Sequence, residues 1–146
     1  MRGGEEVSDN DAILLAELER DEGFRAKPYK CTAGFNTVGI GRNLDARGIT
    51  REEALFLAKN DVELCKAQLD KHLPWWRMLD EVRQRVLINM AFNLGINGLL
   101  GFKNTLAAVK AKNWQAASQG MLGSKWADQV GARAQRLAKM MRTGSV

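Results

Sequence analysis

Apolar residues recur along this chain at two different periods, and the change of period divides it. Ile13, Leu14 and Leu18 fall at helical spacing, which puts them on one helix face. Ser8 followed by Asp11 resembles a capping box ahead of them, and Gly23 is a natural stop behind them. A first helix is therefore predicted from about Asp9 to Glu22. Between Pro28 and Gly41 the pattern changes. Tyr29, Phe35, Thr37, Val38 and Ile40 stand among Gly34, Gly39 and Gly41. Alternation with β-branched residues predicts two or three short strands joined by tight turns. Asn43 to Gly48 reads as a loop.

Thr50 and Glu53 form a capping box. Ala54, Ala58, Val62, Cys65 and Leu69 carry a helical stripe on to about Lys71, and Pro74 then breaks the chain. Asp80 caps the next segment. Val82, Val86, Leu87, Ile88, Met90, Ala91, Phe92 and Leu94 wrap most of its circumference, as expected of the central helix of a core. Gly95 ends it. Shorter helices are predicted at about Ile96–Leu99, Lys103–Lys112, Trp114–Leu122, Lys125–Asp128 and Gly131–Met141. The β signal is confined to one quarter of the chain, so the fold class is α+β and mostly helical.

Composition narrows the class. At 146 residues with 45% hydrophobic positions, the chain fits one domain, or two lobes sharing a helix, with a real core. No apolar run approaches a membrane span, and MRGGEEVSDN has no apolar h-region, so no signal peptide or anchor is read there. Met1–Glu6 reads as a flexible tail or an expression remnant. The net charge of +5 points to a polyanionic partner: nucleic acid, an anionic membrane surface or a bacterial cell wall. Arg133, Arg136, Lys139 and Arg142 share a helix face, either simply solvated or a functional patch. Cys31 and Cys65 make no disulfide framework, and Cys65 on its apolar stripe reads as a buried inert thiol. With His72 as the single histidine and no Cys-x-x-Cys, metal-ligand spacing is absent and no cofactor is expected. Gly39-Ile40-Gly41 is too short for a dinucleotide fingerprint.

The chemistry concentrates in Arg20–Arg42, RDEGFRAKPYKCTAGFNTVGIGR. Glu22 ends a helix, where the partial negative charge of the backbone favours the protonated carboxyl that a general acid needs. Thr37 carries a hydroxyl able to orient water. Cys31 offers a base, a water-positioning group or a nucleophile. An acid fixed by a helix near small polar groups on a β-ribbon suits hydrolysis of a glycosidic bond.

The combination resembles the phage-type lysozyme family. The resemblance rests on Glu22-Gly23, Arg25, Tyr29, Cys31, Gly34, Thr37 and Gly39-Ile40-Gly41. It continues through Ile88–Gly95, Gly101–Leu106, Trp114, Lys125-Trp126, Arg133, Arg136 and Arg142–Gly144. It implies a single two-lobed lysozyme domain over 1–146. The small β-ribbon lobe would cover about 13–50 and the connecting helix about 51–70. The helical lobe would take about 71–146 plus the N-terminal helix. It also implies a muramidase that cleaves the β-1,4 bond between N-acetylmuramic acid and N-acetylglucosamine. Carried over, Glu22 is the acid, Cys31 stands where the family usually has aspartate, and Thr37 matches the family's threonine. Arg133 matches an arginine that contacts the acid, and Phe92 and Thr105 match or nearly match cleft residues that contact sugar. Three departures stand out: Cys31 for the aspartate, a short ribbon-to-helix connection at Arg42–Ile49, and Asn43 and Gly120 in place of sugar-contacting residues.

The expected partner is therefore bacterial peptidoglycan, met by a monomer with no nucleic acid and no stable membrane insertion. The resemblance also implies a phage lysis protein made in the host cytoplasm and reaching the periplasm through a separate pore, or a virion-associated domain. Two other functions stay open: a lytic transglycosylase using the same acid, and a cell-wall binding module without activity. A nucleic-acid binder would rest on charge alone.

Overall fold

The computed structural model describes residues 6–146; most of the terminal segment Met1–Glu6 lies outside them. The chain divides into two compact units, one ending at residue 58 and the other covering 59–146.

In the first unit, Ser8 opens α1 (Asp9–Glu22) by accepting the Asp11 N–H at 3.2 Å. Gly23, at φ 76°, closes it and returns its own N–H to the Glu19 carbonyl. No residue of α1 is buried. Three antiparallel strands follow, β1 (Arg25–Lys30), β2 (Asn36–Gly39) and β3 (Arg42–Asn43), with β2 in the middle. Two of them depart from the predicted ribbon, β1 in where it starts and β3 in lying beyond it. β1 begins at Arg25, ahead of Pro28, because its Arg-Ala-Lys stretch pairs through backbone and shows no apolar alternation. The register slips between Arg25↔Gly39 and Tyr29↔Thr37, around Pro28, which has no N–H for the ladder. β3 lies just past Gly41 and pairs Asn43 with Thr37 and Arg42 with Val38.

The predicted capping box at the start of α2 (Arg51–His72) is present: Thr50 Oγ1 accepts the Glu53 N–H at 3.1 Å, and Glu53 Oε1 accepts the Thr50 N–H at 2.8 Å. Glu53 also receives Arg42, whose Nη1 donates to Oε1 at 2.8 Å and whose Nη2 reaches Oε2. One carboxylate thus caps the helix and ties it to β3. The Arg42 guanidinium, followed by the Thr50 N–H, holds the Glu53 carboxyl well below the usual carboxylate range. A depressed folded-state value stabilises the fold above the unfolded glutamate value of about 4.3, and that contribution is lost as pH falls below it. Glu53→Gln is expected to lower the melting temperature by a few degrees at pH 7. The gap from wild type should shrink towards pH 3 when melting is followed across that range.

The buried core belongs to the second unit. Trp76, Leu69, Leu87, Met90, Leu99, Met121, Met141, Val86 and Val109 are its largest fully buried side chains. Cys65 is buried at 6% exposure, as its place on the stripe predicted, and both cysteines are free. After Pro74 a short 3₁₀ turn, Trp76–Met78, is held by Asp70, which accepts Trp76 Nε1 and Arg77 Nε, each at 2.7 Å. Asp80 caps α3 (Glu81–Leu100) through the Arg83 N–H. Gly95 leaves helical geometry at φ 76°, ψ 160°, so the predicted end at Gly95 appears as a break between two helical stretches. Four helices complete the unit: α4 (Lys103–Lys110), α5 (Trp114–Leu122), α6 (Lys125–Val130) and α7 (Ala132–Thr143). Arg83 ties the end of α7 down. Its Nε donates to the Met141 carbonyl at 2.7 Å and its Nη2 to that of Arg142 at 3.1 Å, and its guanidinium lies 3.8 Å from the Trp114 ring centre. Two carbonyls orphaned at the helix end are thereby satisfied. The mostly helical α+β architecture, with its small three-stranded sheet and long connecting helix, is the one the sequence predicts.

Candidate active site

The residues predicted to carry chemistry fall in both units. Within the first, Glu22 is the last residue of α1 and is exposed. Its carboxyl lies on the turn between β2 and β3. A Cβ placed on Gly41 would stand 2.8 Å from Glu22 Oε2 and 3.1 Å from its carboxyl carbon. Gly41 also has φ 69°, a conformation that side chains rarely adopt. Glycine here lets the backbone pass beneath the carboxyl. Gly41→Ala is expected to cost about 1 kcal/mol in backbone strain. It should also push the Glu22 carboxyl aside, and the loss of stability is read as a lower melting temperature.

Cys31 and Thr37 are brought together at the other end of β2. The Cys31 N–H donates to the Phe35 carbonyl at 3.0 Å and the Gly34 N–H to the Cys31 carbonyl at 2.8 Å, which closes the turn tightly. Thr37 is buried at 4% exposure. Its hydroxyl donates to the Phe35 carbonyl at 2.9 Å and lies within hydrogen-bonding reach of the Cys31 sulfur. The Phe35 N–H first, and then those of Ala33 and Gly34 with the Thr37 hydroxyl, pull the Cys31 thiol below its ordinary range; burial opposes them. The turn therefore favours the thiolate, the reactive form of cysteine. On β1, the Arg25 guanidinium sits 4.5 Å from the Tyr29 ring centre.

In the second unit, Phe92 and Arg133 line one hollow with Val62, Lys66, Ile88 and Asn89. Arg133 Nε and Nη2 both donate to Asn89 Oδ1, at 3.0 and 2.7 Å, which fixes the guanidinium. Thr105 lines a different hollow, with Phe102, Asn104, Gly120 and Trp126. Trp126 donates to Asn93 Oδ1 at 2.7 Å and meets Phe102 edge-on at 6.0 Å. A Cβ on Gly120 would come within 2.3 Å of Thr105 Oγ1, so the missing side chain gives the threonine its room.

Three site partners have no site role in the sequence reading: Gly41, Asn89 and Asn93. The asparagines are one turn apart in the otherwise apolar stretch 86–96 of α3, and that i, i+4 polar pair is the signal that marks them. Among the described residues no group of three or more His, Cys, Asp or Glu is placed to hold a metal ion, and no single helix is long and apolar enough to cross a membrane.

Known proteins resemble this chain over most of its length. The pre-baseplate central spike protein Gp5 of Enterobacteria phage T4 is 30% identical over 96% of this chain, which spans 29% of that protein's length. Probable T4-type lysozyme 1 of Dictyostelium discoideum is 28% identical over 88% of this chain and 93% of its own. The endolysin of Salmonella phage P22 is 29% identical over 74% of this chain and 77% of its own. The phage lysozyme family profile matches residues 19–142. That span takes in α1's terminal glutamate, the ribbon and every helix after it, and the chain belongs to the phage lysozyme family.

Proposed function

We propose that the protein is a peptidoglycan hydrolase, a muramidase that cleaves the β-1,4 bond between N-acetylmuramic acid and N-acetylglucosamine. Family membership supports a glycoside hydrolase. The observation that carries the finer reading is the pairing of Cys31 with Thr37 at one end of β2 while Glu22 rests on Gly41 at the other. Strand residues rise about 3.3 Å each, so this four-residue strand sets the two ends roughly 10 Å apart before the side chains reach inward. A proton donor and a water-activating group separated in this way suit inversion, with a water held between them and the sugar.

In this mechanism Glu22 gives its proton to the O4 of N-acetylglucosamine as the glycosidic bond breaks. A water held by the Thr37 hydroxyl attacks C1 of the muramic acid from the opposite face, and the Cys31 thiolate takes its proton. The thiolate also places negative charge near the oxocarbenium-like transition state. Phe92 and Thr105 offer contacts for sugar, and Lys66, Arg85 and Arg133 around one hollow suit an acidic polymer. The protein acts as a monomer on periplasmic cell wall. It is made in the host cytoplasm and released through a separate pore, or carried there as a virion domain, an arrangement that the likeness to the spike protein favours.

The test is turbidity clearing of purified peptidoglycan sacculi. Clearing with release of new reducing sugar is the expected result. Binding to sacculi without release would mean a wall-binding module instead.

A further inference from the structure

Of the four cations on α7, the hydrolytic reading uses Arg133 but not Arg136, Lys139 or Arg142. Arg136, Lys139 and Arg142 are exposed and, at spacings of three, stand on one helix face. Among the described residues none of the three takes part in an ion pair. They surround a hollow of about 340 Å³ between α5 and α7. From residue 82 to the end, the chain carries ten Lys and Arg against one acid, Asp128, and Asp128 is not among the residues lining it.

The hollow has a polar floor. Ser118, on α5, lines it and is only 4% exposed. Its hydroxyl has no hydrogen-bond partner among the described residues. Fully occluded side-chain oxygens without a partner are absent among the described residues, so this oxygen opens into the hollow. A mostly buried hydroxyl left unpaired costs free energy that a ligand able to accept its hydrogen bond would recover. Gln135 adds an amide, and Leu122 and Ala138 add an apolar flank.

Three cations, a buried hydroxyl donor and an amide suit a doubly charged tetrahedral oxyanion better than a planar single carboxylate. Arginines supply forked donors to its oxygens, and the apolar flank leaves room for a carbon substituent. We propose that this hollow is a phosphate-binding site that takes a phosphate monoester, on a soluble molecule or on a lipid headgroup. The inference does not depend on the hydrolytic reading.

The test follows backbone amide resonances of the full chain during titration with inorganic phosphate, with ionic strength held constant by chloride. Saturable shifts are expected at Ser118, Gln135, Arg136 and Lys139. Ser118→Ala and, separately, the surface variant Arg142→Gln should each weaken binding about tenfold. Both should keep the wild-type melting curve and rate of wall clearing. Sedimentation with phosphatidic acid vesicles, against phosphatidylcholine vesicles, distinguishes the sources. Co-sedimentation assigns the headgroup; binding of inorganic phosphate without it assigns a soluble ligand, and either supports the site. The proposal is overturned by shifts that fail to saturate up to about 0.1 M phosphate. Shifts that Ser118→Ala and Arg142→Gln both leave unchanged would overturn it too.

Discussion

Glu22→Gln should remove wall hydrolysis while leaving the protein folded. The substitution keeps the size and polarity of the side chain but takes away the proton that the leaving sugar oxygen needs. General acid catalysis is worth about 10² to 10⁴ in rate, so clearing of sacculi is expected to fall by at least about a hundredfold. Stability should hardly change. Glu22 is exposed at the end of a helix that buries none of its residues, and no ion pair among the described residues would be broken. Melting curves and backbone amide spectra of the variant should overlay those of wild type. Near-normal clearing by this variant would remove Glu22 from the chemistry.

Cys31 should give the second largest effect, and it can be read chemically as well as by mutation. Cys31 lies in a turn whose N–H groups stabilise the thiolate, whereas burial pushes the Cys65 thiol up. Iodoacetamide should therefore label Cys31 at near-neutral pH while Cys65 stays unmodified, with the labelling rate rising at a pH below the ordinary thiol value of about 8.5. Labelled protein should lose activity. Cys31→Ser keeps a hydroxyl that can position water but cannot ionise near neutrality, and its rate is expected to fall by about 10- to 100-fold. Cys31→Asp restores an ionised base and should retain much more activity than the serine variant. If serine preserves the full rate and alkylation is harmless, the sulfur takes no part in the reaction.

Much of this was legible in the sequence, because the elements carry their own boundary signals. Ser8 and Gly23 delimit α1, Thr50 with Glu53 starts α2, Asp80 starts α3, and Gly95 breaks it, each through a local hydrogen bond or a positive φ. Less legible were features made by backbone pairing or by residues far apart in the chain. β1 starts early on polar residues because its partner supplies the hydrogen bonds. The contact between Gly41 and the Glu22 carboxyl joins residues 19 apart, and the Arg133–Asn89 bond joins residues 44 apart. No periodicity reports such pairs. The chemical segment Arg20–Arg42 was readable as residue types in order. Its electrostatics were not: the Cys31 thiol is lowered mainly by backbone groups, whose directions exist only once the turn has folded.

The central claim is hydrolysis by a proton from Glu22 with water as the acceptor. Mass spectrometry of muropeptides released from purified sacculi in ¹⁸O-labelled water tests it most directly. The account predicts products ending in reducing N-acetylmuramic acid, with one labelled oxygen per bond cleaved and none released by Glu22→Gln. Unlabelled 1,6-anhydro products, lighter by one water, would contradict it and make the protein a lytic transglycosylase.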